Sequence, residues 1–140
     1  MTEITQPDLA LLAFAREAQE RSYSPYSGFR VGAAVIAEDG EIFEGFNIEN
    51  ACYSATMCAE RAAVAACLAS GRTEITAIAI VGDSEAPTVP CGECRQFLAE
   101  FNPEMRIVMG GRTDAVMVMR LDELFPEPFV RGFLDQDDEK

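Results

Sequence analysis

The sequence predicts an α/β fold of one domain, a mixed sheet with helices on its faces. Three observations predict it. At 140 residues the chain suits a single domain, and a chain of that size buries roughly 68–70% of its unfolded surface. Its 49% hydrophobic content marks a globular chain. Segments with helical spacing alternate with short apolar runs in the order α-β-β-α-β-α-β-β-α. No internal repeat or linker divides the chain.

The elements follow in order. Asp8 to Arg21 mixes apolar and charged residues at helical spacing, with Pro7 well placed near its start. Ser22 to Gly28 is turn-forming. Val31 to Ala37 is a buried strand of β-branched and small residues. Asp39-Gly40 is a hairpin signal, and Glu41 to Phe46 alternates as the return strand. Asn47 to Met57 lacks a strong period and is a loop. Glu60 to Ser70 is Ala-rich and helical, with Gly71 as a stop. Ile75 to Val81 is a buried strand, Gly82 to Pro90 a loop, and Gly92 to Phe101 a helix with Phe97, Leu98 and Phe101 inward. Arg106 to Met109 and Val116 to Met119 are strands around Gly110-Gly111. Leu121 to Phe125 is a short helix. Residues 1–134 are expected to form the domain, and residues 135–140 a disordered acidic tail.

Composition excludes several classes. With 11 basic and 24 acidic residues the net charge is −13, which argues against a nucleic-acid partner and disfavours anionic membranes. No window approaches the ~18 apolar residues of a membrane span. The first residues carry acids and no basic region, so no signal peptide is expected, and the reading is cytoplasmic. The chain has no His, which removes a Ser-His-Asp triad, a Cys-His pair and imidazole ligands. Acid–base work near neutral pH is left to carboxylates, Tyr, Lys or thiols. Five cysteines in a reducing compartment point to metal binding or catalysis rather than disulfides.

Cys58-Ala59-Glu60-Arg61 and Pro90-Cys91-Gly92-Glu93-Cys94-Arg95 each follow a loop and open a helix. Helix N-termini carry orphan N–H groups and partial positive charge, which favour the thiolate, the form that binds metal. Cys91 and Cys94 share one face of a first turn. Three thiolates suit zinc, and three ligands rather than four leave a position for water. A fourth thiol could come from Cys52 or Cys67; Cys67, deep in an Ala-rich helix, reads as packing, whereas spacing does not exclude Cys52. Glu60 can serve the same site as a proton shuttle only if Cys58 lies at the helix entrance with non-helical dihedrals. Three thiolates and Zn²⁺ sum to −1, so Arg61 and Arg95, next to the ligands, are expected to withdraw charge from the sulfurs.

Cys58-x-Glu60 with Pro90-Cys91-x-x-Cys94 resembles the zinc nucleobase deaminase signature. The runs Ser24 to Ala34 and Phe46 to Tyr53 extend the likeness from the first helix to Phe129, and the chain is similar to the small homotetrameric, three-cysteine cytidine deaminases. That resemblance implies a five-stranded mixed sheet with helices on both faces, and one Zn²⁺ per subunit. It implies hydrolytic deamination of cytidine and deoxycytidine to uridine and deoxyuridine, with release of ammonia, in pyrimidine salvage. Cys58, Cys91 and Cys94 would hold zinc, and Glu60 would move protons. Asn47 and Glu49 would hold the ribose hydroxyls. Asn47, Ile48, Glu49, Asn50, Ala51, Cys52 and Tyr53 would form much of the pocket, together with Ala59. Phe29 would pack near the base, and Phe129 would reach a neighbouring subunit's site.

Rival readings are a redox dithiol at Cys91 and Cys94, a closed structural zinc site and a zinc or nucleoside scaffold without turnover. Within the superfamily the rivals are a polynucleotide editor, opposed by the net charge, and a deaminase of a nucleoside antibiotic such as blasticidin S. The run Phe46-Asn47-Ile48-Glu49-Asn50-Ala51 favours ordinary cytidine.

Overall fold

A computed structural model describes residues 2–135. Five strands form one sheet: β1 (Val31–Ala37), β2 (Ile42–Phe46), β3 (Ile75–Gly82), β4 (Arg106–Gly110) and β5 (Val116–Arg120). Their order is β2-β1-β3-β4-β5. β1 pairs antiparallel with β2 and with β3, β3 pairs parallel with β4, and β4 pairs antiparallel with β5. The helices are α1 (Gln6–Gln19), α2 (Ala59–Ala69), α3 (Gly92–Ala99) and α4 (Leu121–Leu124), with 3₁₀ turns at Tyr53–Ala55 and Arg131–Phe133. The expected element order holds, and strand and helix bounds shift by at most two residues. Of the expected acidic tail, only Asp135 lies within the described residues.

Helices cover both faces of the sheet. On one face α1 lays Leu11, Leu12 and Ala15 against Ala34, Ala79, Val81, Val108 and Val118. On the other, Ala63, Val64 and Cys67 of α2, Leu98 of α3 and Leu121 of α4 pack on Val35, Ile78, Ile80, Ile107 and Met109. A sheet buried on both sides needs apolar residues at successive positions, which is why β3 reads Ile-Thr-Ala-Ile-Ala-Ile-Val-Gly. Each large side chain buried there contributes about 1.5–3 kcal/mol.

Two local features set the helices. Helix α1 starts earlier than expected: Thr5 is the N-cap and forms a capping box with Asp8, and Pro7 sits in the first turn. Helix α2 lies directly on β2 because Gly45 has no side chain; a Cβ there would sit 2.3 Å from the Ala63 nitrogen. This close approach holds the start of α2, and with it Cys58, against the sheet.

Candidate active site

The site forms at the end of the sheet where β1 begins and β2 and β3 end. The Asn47–Met57 loop returns there as more than a free loop. Ile48 and Met57 exchange backbone hydrogen bonds, each 2.9 Å, and Tyr23 N–H donates to the Asn47 carbonyl at 3.0 Å. These bonds fix the approach to Cys58. Cys58 is the N-cap of α2, with extended dihedrals of φ −74° and ψ 151°. This is the non-helical entry that its two-residue spacing from Glu60 demands. Cys91 is the N-cap of α3, with φ −68° and ψ 169°, and Cys94 lies in the first turn.

Packing of α2 against α3 brings the three cysteines together. The sulfurs of Cys58, Cys91 and Cys94 lie within 4.8 Å of one another. Cys94 is buried, Cys58 half-buried and Cys91 exposed. No fourth thiol joins them: Cys67 is buried in the core of α2, and the exposed Cys52 sulfur lies 3.4 Å from the Ser54 hydroxyl.

The electrostatics of the cluster call for a cation. A hydrogen bond from the Cys94 thiol and the neighbouring Arg61 guanidinium draw the Cys58 thiol down to about 5. Cys94 is pushed strongly upward, by its bond to the Cys58 thiolate and then by burial. One thiolate forms readily, then, and the next resists unless a positive ion compensates it. Soft sulfur donors in this number fit zinc.

Glu60 is buried, 5% exposed. Desolvation first, and the Cys58 thiolate second, push its carboxyl up to about 7. Such a carboxyl exchanges its proton near neutral pH. It faces a cleft of about 240 Å³ whose walls include Phe29, Val31, Asn47, Thr56, Met57, Ala59, Thr88 and Val89, with Cys58 and Cys91. A second hollow of about 400 Å³ meets it at Thr56 and is lined by Tyr26, Ser27, Glu49, Asn50 and Tyr53.

The sequence-derived residues divide among these places. Phe29, Asn47, Cys58, Ala59, Glu60 and Cys91 line the metal cleft, and Glu49, Asn50 and Tyr53 line the adjoining hollow. Ile48, Ala51 and Cys52 are outside both linings; Ile48 acts here through its backbone. Phe129 stacks on Phe133 at 5.3 Å, 56% exposed and away from the cleft lining of its own chain. The two arginines differ. Arg61 Nη2 lies 3.7 Å from the Cys58 sulfur and donates to the Thr56 carbonyl at 3.2 Å. Arg95, expected to act on the sulfurs, instead donates to the carbonyls of Pro90 and Leu124, each at 2.8 Å. Both carbonyls lie at the edge of a helix ladder, just before α3 and at the last residue of α4, and the guanidinium supplies their donors. Sequence reasoning missed Val31, Thr56, Met57, Thr88 and Val89 as cleft walls. Only the position of Thr56 and Met57 directly before Cys58 hinted at any of them.

Three clustered thiols beside a buried carboxyl, on a layered α/β scaffold, define the class of zinc-dependent hydrolases. The sequence profile described as "Cytidine and deoxycytidylate deaminase zinc-binding region" matches residues 5–110. A cytidine deaminase of Halalkalibacterium halodurans is 42% identical over 120 residues, covering 85% of this chain and 91% of that protein. The crystal structure of cytidine deaminase from Burkholderia pseudomallei superposes with a TM-score of 0.85 at 40% identity, covering 90% of this chain and 100% of that one. The crystal structure of cytidine deaminase from Mycobacterium tuberculosis does so with a TM-score of 0.76 at 34% identity, covering 90% and 98%. The chain belongs to the cytidine and deoxycytidylate deaminase family.

Proposed function

We propose that this protein catalyses the zinc-dependent hydrolytic deamination of cytidine and deoxycytidine, giving uridine or deoxyuridine and ammonia. The observation that carries this reading is the cluster of three cysteine sulfurs within 4.8 Å of one another, two of them, Cys58 and Cys91, in the lining of the cleft that Glu60 faces. Cys58, Cys91 and Cys94 would hold the zinc. When bound there, zinc supplies an activated water as nucleophile.

The chain's own residues account for the rest. Glu60, buried and poised near neutrality, takes one proton from water and delivers it to the ring nitrogen, then takes the second from the new C4 hydroxyl and delivers it to the amine, which leaves as ammonia. Phe29 walls the base, and the helix N-termini at Cys58 and Cys91 stabilise negative charge in the reacting centre. The ribose extends toward Glu49. Asn47 Oδ1 accepts from Val31 N–H at 3.0 Å and from the Ser22 hydroxyl, and its amide donates to the Phe29 carbonyl at 2.9 Å. One of its N–H groups is left for the cleft. Glu49 accepts from Tyr26 N–H at 2.8 Å, Ser27 N–H at 3.0 Å and the Ser27 hydroxyl, which leaves it one acceptor position. One donor and one acceptor suit a hydroxyl, which both gives and takes a hydrogen bond.

A neutral nucleoside fits better than a nucleotide. Among the described residues neither hollow is lined by Lys or Arg, and Arg30, next to Phe29, is committed to Asp83. Two surfaces support assembly into a homotetramer: Phe129, Phe133 and Leu134 are more than half exposed, and Tyr53 at the hollow is 77% exposed. Among the described residues no helix is long and apolar enough to cross a membrane; the reading places the enzyme in cytoplasmic pyrimidine salvage. The named relatives favour cytidine over blasticidin S as substrate.

The test follows absorbance loss and ammonia release with cytidine and with blasticidin S, for the parent chain and Glu60→Gln. Cytidine turnover that falls by about 10²–10⁴ in the zinc-loaded variant supports the reading. Equal turnover by the variant, or turnover of blasticidin S alone, refutes it.

A further inference from the structure

The aromatic wall of the cleft is seated by side chains from several parts of the chain, two of which, Gln19 and Asp83, lie outside both hollows. The segment Phe29 to Val31 precedes or opens β1, and the groups that hold its backbone come from four elements. The Phe29 N–H donates to the Ser27 hydroxyl at 2.9 Å, and the Phe29 carbonyl accepts from the Asn47 amide at 2.9 Å. The Arg30 N–H donates to Asp83 Oδ2 at 2.8 Å, and the Arg30 carbonyl accepts from Gln19 Nε2 at 3.1 Å. Val31 N–H donates to Asn47 Oδ1 at 3.0 Å.

Asp83 is the hub of this cradle. It also receives Arg30 Nε and Nη2, each at 3.2 Å, and Gln19 Nε2 at 3.3 Å. Gln19 is only 8% exposed, so its amide has no ready replacement from solvent. The carboxylate thus fixes Arg30 through both its main chain and its side chain, in bidentate form. Asp83 lines neither the metal cleft nor the adjoining hollow. Its effect on substrate must pass through Phe29.

A second observation points the same way. Gly82, the residue before Asp83, pairs with Val31 in the sheet. A Cβ at Gly82 would sit 2.9 Å from Phe29 Cε1 and 2.7 Å from the Thr88 hydroxyl. The bare Cα of Gly82 leaves the space the Phe29 ring occupies, while Asp83 anchors the backbone that carries the ring. The last two residues of this strand and loop junction set both the room for the ring and its attachment.

We propose that Asp83, supported by Gln19, is a positioning residue that fixes the Phe29 ring as the wall against which the substrate base packs. This rests on the nucleoside reading above. It makes Asp83 a determinant of nucleoside binding rather than of the chemical step, because the proton-transferring Glu60 and the three sulfurs stand on α2 and α3, outside the cradle.

The test compares the zinc-loaded parent, Asp83→Asn, Phe29→Leu and the double variant. Asp83→Asn is isosteric but turns an acceptor into a donor facing Gln19 Nε2 and the Arg30 guanidinium. It should raise KM for cytidine about tenfold, the scale of one well-placed aromatic contact, with kcat within about threefold and zinc content intact. In the Phe29→Leu background the same change should add less than about twofold, since coupled residues are not additive. A ligand-free readout accompanies the kinetics: the fluorine resonance of Phe29 in chain labelled with fluorophenylalanine, identified by its loss in Phe29→Leu, should shift or broaden in Asp83→Asn. The proposal is overturned by an equal KM increase in both backgrounds, by a fall in kcat at unchanged KM, or by an unmoved Phe29 resonance. Should the zinc-loaded parent release no ammonia from cytidine, the nucleoside reading fails, and the fluorine spectrum alone decides whether Asp83 seats the ring.

Discussion

Replacing Arg61 with Gln removes a cation that touches the metal cluster. Arg61 Nη2 lies 3.7 Å from the Cys58 sulfur, 3.2 Å from the Thr56 carbonyl and 3.7 Å from Glu93. A unit charge at that distance from a thiolate gives about 4–5 kcal/mol at an effective dielectric of ~20. The side chain is 23% exposed, and water screens part of that. A charge-assisted hydrogen bond of about 1.5–3 kcal/mol is the better guide. With three thiolates and one dication the centre carries a net negative charge, so losing Arg61 weakens zinc binding by about 10–100-fold. The acid limb of the rate–pH profile moves upward, because the lost cation favoured every deprotonated form around it. The assay is competition for zinc against a chromogenic chelator, with thermal melting as a check on the fold. Zinc held as tightly by the Gln variant, with an unchanged pH profile, would show that Arg61 does not offset the charge of the cluster.

Other expectations follow from the same structure. Arg95→Gln should lower the melting temperature, because it releases the Pro90 and Leu124 carbonyls that tie α3 to α4; its zinc affinity, in the same competition assay, should fall less than that of Arg61→Gln. The Asp8 carboxyl, 4% exposed, is held below its usual range by its hydrogen bonds from Arg106. Its stabilisation is present above an unfolded pKa of ~3.9 and lost as pH falls through the lower folded value. Asp8→Asn should therefore cost about 1–3 kcal/mol in urea unfolding at pH 7, below the full cost of breaking a buried pair because Arg106 is 31% exposed, and the difference should shrink as the pH is lowered below 4. Gly45→Ala puts a methyl group against the α2 backbone. Overpacking there should cost about 1–3 kcal/mol, read as a lower melting temperature.

How far the sequence carried the fold depends on how local each signal is. Asp39-Gly40 marks the β1–β2 hairpin because the turn needs a residue with positive φ, and Gly40 has φ 93°. The apolar runs of β1 and β3 announce a sheet buried on both faces. The start of α1 was readable too, since Thr5-x-x-Asp8 is a capping box, but the Asp8 reading placed the boundary two residues late. At the site, Cys58, Cys91 and Cys94 stand out through their spacing and their places at helix entrances. Their convergence is a tertiary fact that follows from α2 packing on Gly45 and on α3. The least readable features were pairings of residues far apart in the chain. Nothing periodic links Gln19, Arg30 and Asp83, or turns Arg95 toward Pro90 and Leu124. Those contacts depend on where loops cross, and on which carbonyls are left without partners.

Zinc and ammonia measured on one preparation, for the parent chain and for Cys94→Ala, link the three-cysteine site to the reaction. Zinc-dependent deamination at this site requires one zinc per parent chain and one ammonia released per cytidine consumed, with both lost in the variant. Ammonia release from metal-free protein, or a Cys94→Ala chain that keeps its zinc and its full rate, would contradict it.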